Sequence, residues 1–170
     1  MPLRSAPLPR MAGHLSFMRA QSKAICDVRS GDLAVLGLPC EDTSAPYAGQ
    51  SLAPRALRET SVYFGWHANP QFSHPVDIDA RKDIQTDGLH ERLCDLGDIS
   101  PGPEDEIHAA LRAATSQISR NGACAVILGG SNRLSETVQS ARPECQTAQL
   151  GGPAGDARAV QIAPLLTGGV

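Results

Sequence analysis

Pro103-Glu104-Asp105-Glu106-Ile107 opens a stretch that runs through Leu111, Ala114 and Ile118 to Arg120-Asn121-Gly122, and then into Ala123-Cys124-Ala125-Val126-Ile127-Leu128. Glu104, Asp105 and Glu106 stand where the positive end of a helix dipole favours acidic side chains. Ile107, Leu111, Ala114 and Ile118 follow at helical spacing and form one apolar stripe. Arg120 falls in the last turn, and Asn121-Gly122 supplies residues suited to a left-handed stop. The apolar run from Ala123 to Leu128 fits a strand buried on both faces.

Upstream, a short strand is expected around Arg92-Leu93-Cys94-Asp95-Leu96, ending at Gly97-Asp98. Strand, helix and strand in this order predict a parallel pair joined by a right-handed crossover, hence an α/β fold with helices on the faces of a sheet. Further upstream, Asp32-Leu33-Ala34-Val35-Leu36-Gly37-Leu38-Pro39 is a second continuous apolar run, closed by Gly and Pro, and predicts the first core strand. Residues 40–52 form a polar loop, and Pro54 then suits the first turn of a helix expected from Pro54 to about Tyr63.

Gly65 to Glu91 shows no sustained period and is expected to be a long loop. The domain is taken as residues 32–141, preceded by an irregular arm over 1–31 that holds Pro2, Pro7 and Pro9. Leu134 to Ala141 is expected to make two helical turns, and residues 142–170, rich in Gly, Ala and Gln, read as a C-terminal tail whose order the sequence leaves open.

Composition narrows the function classes. The chain has 170 residues, a net charge of −3 and only two lysines, Lys23 and Lys82, which argues against a phosphate-tracking surface and so against nucleic acid. Aromatic residues make up 4%, so the core is built from Ala, Val, Leu and Ile, with close packing or help from a partner. Five cysteines without a C-x-x-C pair suit a reducing cytoplasm, and Cys94 and Cys124 lie in apolar runs as small core residues. No signal h-region or membrane span is expected.

The ordered set Phe17-Met18-Arg19, Asp32 to Pro39, Ala53-Pro54-Arg55-Ala56-Leu57-Arg58-Glu59, Asp95-Leu96-Gly97-Asp98 and Leu128-Gly129-Gly130 resembles the ureohydrolase superfamily, of agmatinase and arginase type, over roughly residues 15–140. The resemblance implies a three-layer α/β sandwich with a mainly parallel sheet, present here as a truncated form. It also implies hydrolysis of guanidino groups by a binuclear manganese or nickel centre, which activates a bridging water. The family's first ligand is the His of a Gly-Gly-Asp-His-Ser motif. Here Asn132 holds that position, with Ser131 before it and Arg133 after it. A neutral amide oxygen is a poor replacement for imidazole on a transition metal, and Arg133 adds a charge that opposes a cation. The family's Asp-Ala-His-x-Asp and Asp-x-Asp ligand motifs, which come further along in the family, are not found after Arg133, and Ala53 stands where the family has Gly before Pro54.

The other chemistry-bearing residues are expected to be structural. Asp95 and Asp98 leave one strand end, spaced as catalytic carboxylates could be, and the favoured role is pairing with Arg. Gly129-Gly130 is taken as a tight turn rather than an anion cradle. Arg55 and Arg58, with Glu59, are expected to form salt bridges within the helix or at a subunit interface. His67, His74, Asp77 and Asp79 share the long loop without metal-site spacing.

The resulting expectation is a cytoplasmic, non-catalytic subunit that binds no metal or cofactor itself. It would join a hetero-oligomer and stabilise a catalytic paralogue carrying manganese or nickel. Such ligand-deficient partners occur in the resembled superfamily among enzymes of substituted guanidines such as metformin. Two rivals are an active guanidino hydrolase whose metal site is completed by another chain, and a truncated or frame-shifted product without function.

Overall fold

The computed structural model describes residues 13–41, 48–62, 76–77, 82–83, 88–100, 102–129 and 137. Its described residues form a four-stranded parallel sheet in the order β1-β5-β2-β6. The strands are β1 (Gln21–Ser22), β2 (Leu33–Gly37), β5 (Leu93–Asp98) and β6 (Cys124–Leu128), and α1 (Ala53–Ser61), α2 (Leu89–Arg92) and α3 (Glu104–Arg120) are the helices. β2 lies at the centre, with Leu33 opposite Leu93 on one side and opposite Cys124 on the other.

The alternation along β2 sorts the core into two faces. Leu36 packs with Leu38, Cys40, Ile99, Ile107 and Leu111, and Ala34 packs with Val28, Cys94 and Ile118, so the stripe of α3 covers that face. On the other face Val35 packs with Ala20, Leu93 and Leu128, joined by partly buried Phe17 and Met18. Successive residues of a strand point to opposite faces, which is why one apolar run serves two layers. The result is a sheet with helical layers on both sides.

Several expectations are corrected. β5 and β6 are parallel but not neighbours, because β2 stands between them. A strand–helix–strand pattern gives direction, not adjacency, and β2 takes the place between them. The long loop contains an antiparallel pair, β3 (Val76–Asp77) with β4 (Lys82–Asp83), and the short helix α2.

The described part of the segment taken as an irregular arm supplies the 3-10 turn Phe17–Arg19 and the edge strand β1, which pairs Gln21 with Cys94. Cys124, expected in the core, is exposed at the start of β6, which ends the sheet order among the described residues. The left-handed stop after α3 belongs to Gly122 alone, with φ +74°, whereas Asn121 stays right-handed. Among the described residues, no helix is long and apolar enough to cross a membrane.

Candidate functional site

The C-terminal end of a parallel sheet is where loops gather chemistry, and here it brings together Arg58, Asp95 and Asp98. α1 begins at Ala53 with Pro54 in its first turn, and its buried face is Pro54, Arg58, Ser61 and then Val62. That spacing aims Arg58 at the sheet. Asp95 lies on the same face of β5 as Leu93, so the long side chain from the helix meets the short one from the strand.

The contact is a fork. Arg58 Nε donates to Asp95 Oδ2 at 2.8 Å and Nη2 donates to Asp95 Oδ1 at 2.9 Å. Nη1 donates to Asp98 Oδ1 at 2.6 Å, and Nη2 also reaches the Gly97 carbonyl at 3.0 Å. The Arg58 and Asp95 side chains are 6% and 3% exposed, while Asp98 is 42% exposed. Two buried charges are tolerated because each is matched by geometry and by further hydrogen bonds.

Asp95 takes two more donors, the backbone N–H of Phe17 at 2.7 Å and of Gly97 at 2.9 Å. Burial pushes the Asp95 carboxyl up, but the hydrogen bonds from Arg58, Phe17 and Gly97 outweigh it and hold the group below the ordinary carboxylate value.

Gly37 makes the fork possible. A Cβ there would stand 1.8 Å from Asp98 Oδ1 and 3.0 Å from Arg58 Nη1. Sequence reasoning did not single out Gly37, although a glycine inside a strand signals close approach of another group. It also missed Ser61, whose hydroxyl donates to the Arg58 carbonyl at 2.7 Å and accepts the Met18 N–H at 2.7 Å. Glu41 was missed as well: its carboxylate receives the N–H groups of Gly49, Gln50 and Ser51 and the Ser51 hydroxyl, closing the loop between β2 and α1.

The other expected residues fall apart from this cluster. Arg55 is exposed and pairs along α1 with Glu59 at 2.8 Å, so the two arginines of the helix do different work. Gly129 ends β6 in the left-handed region, with φ +68°, and a Cβ there would press on Ala53 and Pro54 at 2.8 Å. Gly130, Ser131, Asn132 and Arg133 lie outside the described residues, as do His67, His74 and Asp79. Asp77 is described as part of β3 only.

Among the described residues, no group of three His, Cys, Asp or Glu side chains gathers to hold a metal. The two carboxylates nearest the sheet end are tied to a guanidinium.

A parallel sheet with helices on both faces, and a buried Arg–Asp fork at its C-terminal end, define a three-layer α/β protein. The model of the Arginase family matches residues 31–147, and the chain belongs to that family. Similar solved structures include a hypothetical agmatinase from Burkholderia thailandensis, with 24% identity and a TM-score of 0.60, covering 80% of this chain and 39% of that one. Proclavaminate amidino hydrolase from Streptomyces clavuligerus gives 23% identity and a TM-score of 0.60, covering 81% of this chain and 42% of the other. These likenesses establish the fold. The chain spans about two-fifths of the length of these neighbours. Among curated proteins, none matches the chain.

Proposed function

We propose that the chain is a non-catalytic subunit of the Arginase family, which binds and stabilises a metal-bearing catalytic paralogue acting on guanidino compounds in the cytoplasm. The observation that carries the reading is Ser131-Asn132-Arg133 directly after β6 and Gly129-Gly130. At the strand end where the resembled superfamily places a carboxylate and an imidazole ligand, this chain has a hydroxyl, a neutral amide and a cation. The pairing of Asp95 and Asp98 with Arg58 supports the same reading, because those carboxylates already have a positive partner.

The test is to purify the chain alone and together with a full-length paralogue, and to measure manganese and nickel content, association and guanidine hydrolysis. The expected result is substoichiometric metal in the chain alone, stable association, and hydrolysis that depends on the paralogue. Stoichiometric metal with hydrolysis by the chain alone would overturn the proposal in favour of an active enzyme. Failure to associate, with no effect on the paralogue's activity or stability, would also overturn it.

A further inference from the structure

We propose that α1 is a coupling element: seated on glycines at the ends of β6 and β2, it ties the exit of the chain from β6 at Gly129 to the closure of the Arg58–Asp95–Asp98 fork. The inference is independent of the proposed function.

The two strand ends are neighbours. Gly37, the last residue of β2, is in register with Leu128, the last of β6, and the Leu38 N–H donates to the Leu128 carbonyl at 3.1 Å. Gly129 follows directly. A Cβ on Gly129 would stand 2.8 Å from both Ala53 Cβ and Pro54 Cδ, and a Cβ on Gly37 would stand 3.0 Å from Arg58 Nη1. The first turn of α1 therefore rests on one strand end while its Arg58 side chain passes over the other, a closeness that two missing side chains permit.

The seat has little slack. Pro54 is among the most fully buried side chains, and Arg58 is held by both Asp95 oxygens, Asp98 Oδ1 and the Gly97 carbonyl. Carbon atoms settle about 3.5–4.0 Å apart, so a methyl on Gly129 pushes the helix back by about 0.7 Å or more. Carried along α1 to Arg58, such a shift takes the 2.8 Å and 2.9 Å bonds to Asp95 past the limit of about 3.2 Å for a good hydrogen bond. Coupling is reciprocal. The closed fork holds the first turn of α1 against Gly129, and so holds the exit of β6.

The test is a double-mutant cycle on the full chain, read by urea unfolding at pH 7. Alone, Asp95→Asn and Gly129→Ala are each expected to destabilise. In the Gly129→Ala background the cost of Asp95→Asn, read as a change in the unfolding equilibrium constant, is expected to fall by about tenfold, within the range for sites that share a backbone shift. Gly122→Ala controls for backbone strain: Gly122 is also left-handed, at φ +74°, and its Cβ would meet Ser30 Oγ at 2.8 Å, before β6 begins. There the cost of Asp95→Asn is expected to stay within about twofold of its parent value, as for independent sites. Ala53→Val crowds the same contact from the helix side with no left-handed strain, and serves where Gly129→Ala does not fold. It is expected to lower the cost of Asp95→Asn by about threefold. A cost left within about twofold by Ala53→Val would overturn the proposal. So would an equal fall in the Gly122→Ala background.

Discussion

At Arg58 the guanidinium plane meets Asp95 through two nitrogens and Asp98 through the third, so its removal leaves a carboxylate of 3% exposure without a counter-charge. Arg58→Ala is expected to lower unfolding free energy by about 3–5 kcal/mol in urea titration, the range for breaking a buried pair. Arg58→Lys keeps the charge but not the planar fork, and is expected to recover only part of that loss. The pH dependence has a definite sign. The native Asp95 carboxyl is held below its ordinary value, so the unfolded state binds the proton more readily. The stabilisation is complete above the unfolded value of about 3.9 and is lost as pH falls through the native value. Asp95→Asn is therefore expected to cost most stability at neutral pH, with the gap to the parent protein narrowing as pH falls below about 4. A gap that stays constant from pH 7 to pH 3 would show that the charge of Asp95 contributes nothing. Gly37→Ala tests the same cluster from below: its methyl meets Asp98 Oδ1 at 1.8 Å. The expected loss is about 1–3 kcal/mol, and pairing it with Asp98→Ala should recover part of that loss.

At the scale of elements, those with strong periodicity were legible in the sequence and those fixed by tertiary contact were not. The stripe of α3 is found as expected, with Ile107, Leu111 and Ile118 buried. Leu111→Ala is accordingly expected to cost about 2–5 kcal/mol, read as a lowered urea midpoint, since Leu111 is 0% exposed within the cluster of Leu36, Leu38 and Ile99. β2 and β6 were visible as continuous apolar runs. β1 was not, because Gln21-Ser22 is polar and exposed and becomes a strand only by pairing with Cys94 and Asp95. The order of strands was equally hidden, as nothing in the spacing of β5 and β6 announces that β2 lies between them. At the candidate site, pairing of Asp95 and Asp98 with arginine was foreseeable from their chemistry. The choice of Arg58 over Arg55 depended on which face of α1 turns inward, and that follows from Pro54, Arg58 and Ser61 falling on one side of the helix.

For the molecule as a whole, stability and association are linked. Aromatic residues are 4% of the chain, and the one among the described residues, Phe17, packs partly buried against the Val35, Leu93 and Leu128 cluster. Along β6 only Leu128 is buried, with Ala125, Val126 and Ile127 half-covered, whereas strands of a parallel sheet are ordinarily covered on both faces. Under the proposed subunit role, a partner that binds only the native state adds to its stability by mass action. At a paralogue concentration about a hundredfold above the dissociation constant, mass action adds about 2.7 kcal/mol. For a chain of this size that corresponds to a rise in the thermal midpoint of about 5–10 °C. The rise should grow with the logarithm of paralogue concentration and be absent with an unrelated α/β protein at equal mass. A midpoint that stays fixed across a thousandfold range of paralogue would remove the subunit reading at its thermodynamic root, because binding to the native state cannot leave the unfolding equilibrium unmoved.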